Sequence, residues 1–199
     1  MTGSFHLGSK NPPPSREGFF NFFEIVRQHR IVLSGVIGAV LIYLSRPTVG
    51  SLLAGLPFVL VGEAIRTWSS GYIRKNKALA TDGPYAHTRN PLYLGSFGIG
   101  VGFVVMGNSV WVLVIFLSAF GLVYWGVIRS EEDYLARVFG ARFEEYVRTV
   151  PRFLPRWTRS PYEAGGFDWA LVWKHREYQA WAGIAGGVAI LIVKILALT

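Results

Sequence analysis

The chain contains no cysteine, so a disulfide framework, a thiolate zinc site and a cysteine nucleophile are all excluded within it. Charge is the next scarcity. Asp, Glu, Lys and Arg make up 16% of the 199 residues, against 51% hydrophobic, which excludes a disordered chain and disfavours an ordinary soluble domain. The few charges are also unevenly spread: positions 90–128, the 39 residues between Arg89 and Arg129, carry none. Wound as helix at about 1.5 Å per residue, that run measures nearly 60 Å, about twice the hydrocarbon thickness of a bilayer. The chain therefore reads as a membrane protein. Positions 1–30 lack the uninterrupted apolar core and small-residue cleavage site of a signal peptide, and Pro12-Pro13-Pro14 marks a disordered start, so no segment is expected to be removed.

Uncharged windows place five helices, at about 31–45, 50–68, 91–107, 109–128 and 179–198. The expectation is an all-α, polytopic integral membrane protein, with a cytoplasmic N-terminal segment 1–30 and a single membrane domain 31–199. Five crossings divide the loops into two sets, and segments 1–30, 69–90 and 129–178 hold 17 of the 20 Lys and Arg residues. The positive-inside rule then puts the N-terminus in the cytoplasm and the C-terminus in the periplasm of a bacterial inner membrane. On this reading the net charge of +8 is chiefly a topology and headgroup signal, and no nucleic-acid partner is expected.

Two long segments share the basic side. In 129–178, Leu135, Val138, Phe139, Phe143, Tyr146 and Val150 recur at helical spacing opposite Arg137, Arg142, Glu144 and Glu145, which predicts an amphipathic helix lying in the interface. Trp157, Tyr162, Trp169, Trp173, Tyr178 and Trp181 then make an aromatic belt. In 69–90, Gly83-Pro84 predicts a tight turn, and Asn90-Pro91 predicts a helix start with Asn90 as N-cap. A helix N-terminus beside Arg89 suits an anionic ligand group, although a capped membrane helix with interfacial Tyr and Arg accounts for the same residues. Chemistry is expected where the two segments meet.

Three further groups of residues stand out. Arg129-Ser130-Glu131-Glu132-Asp133 places three acids at the expected end of the fourth helix, where negative charge is unfavourable. Either a new helix begins there or a carboxylate binds a ligand cation. Glu63 and Arg66, three residues apart, share a helix face and can pair; an ionisable residue in a spanning helix is a functional candidate, and a snorkelling Arg66 that neutralises Glu63 is the structural account. Gly98-Ile99-Gly100-Val101-Gly102 imitates a nucleotide-binding glycine motif, but it lies inside the uncharged run with no strand before it, and close helix packing explains it better. His6, His29, His87 and His175 show no metal-ligand spacing.

Gly62-Glu63-Ala64-Ile65-Arg66-Thr67-Trp68, Lys75-Asn76-Lys77-Ala78-Leu79 and Gly83-Pro84-Tyr85, leading into Arg89-Asn90-Pro91-Leu92-Tyr93-Leu94-Gly95, resemble the integral-membrane methyltransferases of the isoprenylcysteine carboxyl methyltransferase and phospholipid N-methyltransferase superfamily. So do Glu131-Glu132, Leu135, Phe139-Gly140, Phe143, Tyr146 and Val150-Pro151-Arg152-Phe153-Leu154-Pro155. The resemblance implies a methyltransferase that uses S-adenosyl-L-methionine, held at the cytoplasmic surface between the two motifs. Its acceptor would be a lipid or lipophilic small molecule, an isoprenylcysteine-type carboxylate or a phospholipid amine. By position, Leu79, Gly83, Tyr85, His87, Arg89, Asn90, Tyr93 and Gly95 would form one wall of the cofactor site and Glu131 and Glu132 the other. Catalysis or acceptor steering would fall to Glu132, Arg148, Arg152 and Glu63. The carboxyl methyltransferase branch usually has His at the position of Asn90 and a basic residue at that of Thr149. The alternatives are an NADPH-dependent membrane reductase of the sterol-reductase type, with a similar Arg-x-Pro-x-Tyr-x-Gly element, and a non-catalytic membrane scaffold.

Overall fold

The computed structural model describes residues 30–74, 78–156 and 166–198. Regular structure among them is helical: α1 (Arg30–Leu44), α2 (Val49–Ser70), a single 3-10 turn at Gly83–Ala86, α3 (Pro91–Gly107), α4 (Val110–Phe139), α5 (Ala141–Thr149), α6 (Trp169–Lys174) and α7 (Tyr178–Leu198). The N-terminal segment, Lys75-Asn76-Lys77 and the belt residues Trp157 and Tyr162 lie outside the described residues. The chain forms two compact units, Met1–Tyr43 and Leu44–Thr199. α1 falls almost wholly in the first and has 15 residues with no charge after Arg30, about 22 Å of helix.

In the second unit α2, α4 and α7 are long and apolar enough to cross a membrane, by length and composition. α3 has 17 residues and is about 25 Å long, the short limit for a span. Their outward faces are apolar: Leu60, Val61, Leu122 and Val193 are all at least 60% exposed, a surface that lipid covers at no cost and water does not. α2 starts at Thr48, whose hydroxyl accepts from the Ser51 amide at 3.0 Å while Ser51 Oγ accepts from the Thr48 amide at 2.9 Å, a reciprocal capping box.

α2 and α3 pack backbone against backbone. A Cβ placed on Gly62 would stand 2.6 Å from the Gly95 carbonyl oxygen, and one on Gly102 would stand 2.5 Å from Val59 Cγ2. The three glycines of the nucleotide-motif imitation are thereby explained: Gly98 and Gly102 meet α2, and Gly100 meets the Phe116 ring of α4. Val59, Met106 and Leu191 form the buried centre of α2, α3 and α7. Phe97, Phe116, Phe120, Tyr124 and Phe153 join α3 to α4 through an aromatic stack in which Phe120 and Tyr124 lie 4.0 Å apart. The turn between these helices uses Asn108 at φ 44, a left-handed C-cap that Asn tolerates.

The fourth helix differs from the sequence expectation. It continues to Phe139 rather than stopping near position 128. Its 30 residues make about 45 Å of helix, some 15 Å more than the hydrocarbon needs. Glu131, Glu132 and Asp133 are therefore in mid-helix, not at a C-terminus, and the dipole conflict does not arise. The expected single amphipathic helix is also two pieces. Leu135, Val138 and Phe139 finish α4, Gly140 at φ 52 breaks the chain, and α5 carries Phe143 and Tyr146. Phe143, Tyr146 and Val150 close a second buried cluster against Leu79, Leu135 and Phe139.

Candidate active site

The extension of α4 builds one wall of a cavity of about 540 Å³. Leu79, Tyr85, Arg89, Asn90, Pro91, Leu92 and Tyr93 supply the facing wall, Glu131, Glu132, Tyr134 and Leu135 the α4 wall, and Phe143 and Tyr146 the apolar side. The two segments singled out in the sequence do meet. Residues 87–90 run alongside 151–156 and are held there by backbone bonds: the Arg89 amide donates to the Pro151 carbonyl at 2.9 Å and the Arg156 amide to the His87 carbonyl at 2.9 Å. Buried Thr88 adds a hydroxyl bond to the Phe153 carbonyl at 2.9 Å. The Tyr146 hydroxyl donates to the Tyr85 carbonyl at 2.7 Å, which ties α5 to the 3-10 turn.

Glu132 is the centre of this arrangement. It is 8% exposed. Its Oε2 accepts from Arg152 Nε at 3.0 Å and Nη2 at 2.7 Å, and its Oε1 lies 3.3 Å from Arg89 Nη1 and 3.4 Å from Asn90 Nδ2. Two guanidiniums and an amide thus use its hydrogen-bonding capacity from within the protein. Asn90 stands at the N-cap position of α3, but its side chain makes no cap bond; Nδ2 goes to Glu132 and, at 2.9 Å, to the Arg152 carbonyl. Leu92 and Tyr93, in the first turn of α3 where a helix offers its amides no acceptor, line the cavity.

Glu131 differs from its neighbour. It is exposed, lines the cavity and accepts from the Tyr93 hydroxyl at 2.7 Å. The Arg89 Nε, in the same cavity lining, is buried without a hydrogen-bond partner among the described residues. Burial weakens the hold of that guanidinium on its proton and Glu132 opposes the effect, so Arg89 remains a cation. Burial first, and the charge of Glu131 second, push the Tyr85 phenol well above its ordinary value, so it stays neutral.

Not every candidate residue reaches this cavity. Gly83, at φ 55, lies against the Tyr72 ring and shapes the turn. Gly95 packs on Gly62 and Arg66. His87 Nδ1 lies 3.2 Å from the Arg156 carbonyl oxygen. Arg148 is exposed on α5 and is not part of the lining. Arg152 holds Glu132 and stands 5.7 Å from the Trp125 ring centre. Glu63 lines a separate groove.

Arg66 does line the cavity, and here the expected pairing changes. Its strong partner is Glu177, at 2.8 Å from Nε and 2.6 Å from Nη2, whereas Glu63 is 3.9 Å away. Sequence reasoning missed Glu177 because it is 111 positions from Arg66. Its only local signal was an acidic residue next to the last apolar run.

A family profile described as phospholipid methyltransferase matches residues 46–142. That segment runs from the start of the second unit through α2, α3 and α4, and it contains both polar walls of the cavity. Residues 46–142 are thus similar to the phospholipid methyltransferase family. Among curated relatives, the nickel-cobalt-cadmium resistance protein NccN of Alcaligenes xylosoxydans xylosoxydans is 42% identical over 55% of this chain and 49% of its own length. The cobalt-zinc-cadmium resistance protein CzcN of Cupriavidus metallidurans is 39% identical over 64% of this chain and 62% of its own. The protein-S-isoprenylcysteine O-methyltransferase of Schizosaccharomyces pombe is 33% identical over 53% and 45%. The chain thus spans roughly half to three-fifths of the relatives it matches. No solved structure matches it significantly. The matched segment ends before Tyr146, Arg152 and Glu177, so side chains that brace the cavity come from beyond it.

Proposed function

We propose that the protein transfers a methyl group from S-adenosyl-L-methionine to a lipophilic acceptor at the cytoplasmic face of the membrane. The observation that carries this reading is the opposed polarity of the cavity. Glu131 offers a carboxylate on one wall, while the other carries the Arg89 guanidinium and the first turn of α3, which has no side-chain cap bond. An amino-acid group, with an ammonium and a carboxylate on one carbon, suits such a pair of walls, and about 540 Å³ is the usual size for a small-molecule site.

The sulfonium methyl group is already activated when bound. What the protein must add is alignment and a dry site. Leu135, Phe139 and Phe143 exclude water from the apolar side, Tyr93 holds the Glu131 carboxylate in place, and the Tyr85 ring gives the cavity a flat aromatic wall. The basic bias of the segments bearing the site supports the cytoplasmic orientation. The acceptor is a carboxylate or an amine on a lipid-like body, in keeping with the names of the family and of the yeast relative.

Titration calorimetry of the detergent-solubilised protein tests the cofactor directly. Saturable binding of S-adenosyl-L-methionine and none of NADPH is expected; the reverse overturns the reading. Glu131→Gln removes one charge from an exposed position, so its affinity is expected to fall about ten- to a hundredfold while the melting temperature holds. An unchanged affinity would remove Glu131 from the site.

A further inference from the structure

Trp125, Arg129 and Glu132 follow one another along one face of α4, four and then three residues apart, and Arg152 reaches that face from beyond α5. Its guanidinium carbon stands 5.7 Å from the centre of the Trp125 ring, and that of Arg129 stands 4.6 Å from the same centre, so one indole gathers two cations. Trp125 and Arg129 are exposed, and so is 39% of the Arg152 side chain. None of the three lines the main cavity. From Val110 to Arg129 α4 rises about 29 Å, one hydrocarbon thickness. With α4 crossing the membrane, the patch therefore stands at the level of the lipid head groups.

Positive charge is in excess there. Arg152 pairs with Glu132, but Arg89 shares the same carboxylate. Arg129 makes no ion pair among the described residues, and Asp133, one turn further along α4, is exposed and does not neutralise it. Arg152 donates to Glu132 from Nε and Nη2, which leaves three of the five N–H groups of a guanidinium without a bond to any described residue. Leu122, one turn before Trp125, and Leu154, just after Arg152, are exposed apolar side chains. Two guanidiniums with donors to spare, gathered on an exposed indole beside apolar neighbours, complement a phosphate that carries acyl chains. A choline head brings its own cation into the same place and is repelled; a head of net negative charge is not.

We propose that Trp125, Arg129 and Arg152 form a binding site for the phosphate of an anionic membrane lipid, separate from the cavity. Arg152 then bridges the lipid phosphate and Glu132. Because Glu132 also holds Arg89 and Asn90 in the cavity wall, an occupied head-group site fastens that wall from the membrane side. The lipid acts here as a stabilising effector and not as a methyl acceptor, so the proposal does not rest on the methyl-transfer reading.

The test places the full chain in nanodiscs of phosphatidylcholine with and without phosphatidylglycerol. Native mass spectrometry measures the lipid retained, and helical circular dichroism follows melting. The wild type is expected to retain phosphatidylglycerol in preference to phosphatidylcholine and to melt higher in its presence, since a ligand of the folded state stabilises it. Arg129→Gln is expected to lower the affinity for phosphatidylglycerol about tenfold and to remove the gain in melting temperature. Trp125→Leu is expected to act in the same direction, and it decides the matter if Arg129→Gln does not fold. The control is Arg137→Gln, which removes an equal charge from an exposed position on the same helix. It lies about 12 Å further along α4, beyond the Debye length of about 8 Å, so its effect is expected to stay below about twofold. Absence of a lipid preference, or equal losses in Arg129→Gln and Arg137→Gln, overturns the proposal. An equal gain in melting temperature from inorganic phosphate added to phosphatidylcholine discs overturns the assignment to a lipid.

Discussion

Replacing Glu132 with alanine is expected to destabilise the protein by about 3–5 kcal/mol and to abolish cofactor binding at the same stroke. The carboxylate neutralises Arg89, whose side chain is 10% exposed, and Arg152, at 39%. Arg152 can turn to water when its partner is gone. Arg89 cannot, and a buried cation without a counterion carries most of the cost. Asn90 loses an acceptor as well, so the 87–90 segment loosens from 151–156 and the cavity wall with it. Melting of the solubilised variants, followed by tryptophan fluorescence, measures the effect. Glu132→Gln keeps the shape and some of the hydrogen bonds, and is expected to fall between the alanine variant and wild type. Glu131→Gln is expected to melt with wild type despite its effect on affinity. If Glu132→Ala also melts with wild type, the carboxylate does not hold the site together.

The contrast between these adjacent acids shows where sequence reading reaches its limit. Features set by a few neighbouring residues are legible: Pro91 opens a helix because it needs no amide acceptor, and Asn108 closes one because it tolerates a left-handed backbone. The reach of α4 is not legible from charge. Charge marks where a chain leaves hydrocarbon, whereas a helix ends where its backbone is broken, and nothing between Arg129 and Phe139 breaks it before Gly140. Helical spacing correctly groups Leu135, Phe139, Phe143 and Tyr146 on one apolar face, but it cannot tell one helix from two across a glycine. Pairings over long separations are the least legible. That Asn90 turns from its own helix to Glu132, and Arg66 from Glu63 to Glu177, follows from how the helices stack and from no local pattern.

That stacking can itself be tested at Gly62. A Cβ there would approach the Gly95 carbonyl oxygen and the Ile99 amide nitrogen at 2.6 Å each. Both are backbone atoms of α3, so no side chain can swing aside and the helices must part. Gly62→Ala is expected to cost about 1–3 kcal/mol even though alanine is the better helix former by about 1 kcal/mol. Gly62→Val, with two more methyl groups in the same space, is expected to reach or exceed the top of that range. Gly121 provides the control, since an added Cβ there meets nothing within 4 Å and Gly121→Ala keeps only the favourable propensity change. Parting α2 from α3 also moves Arg66 relative to Ser96 and Glu177, so cofactor affinity should fall together with the melting temperature. Equal melting of Gly62→Ala and Gly121→Ala would mean that α2 and α3 are not in backbone contact. The glycine run at 98–102 would then need another explanation.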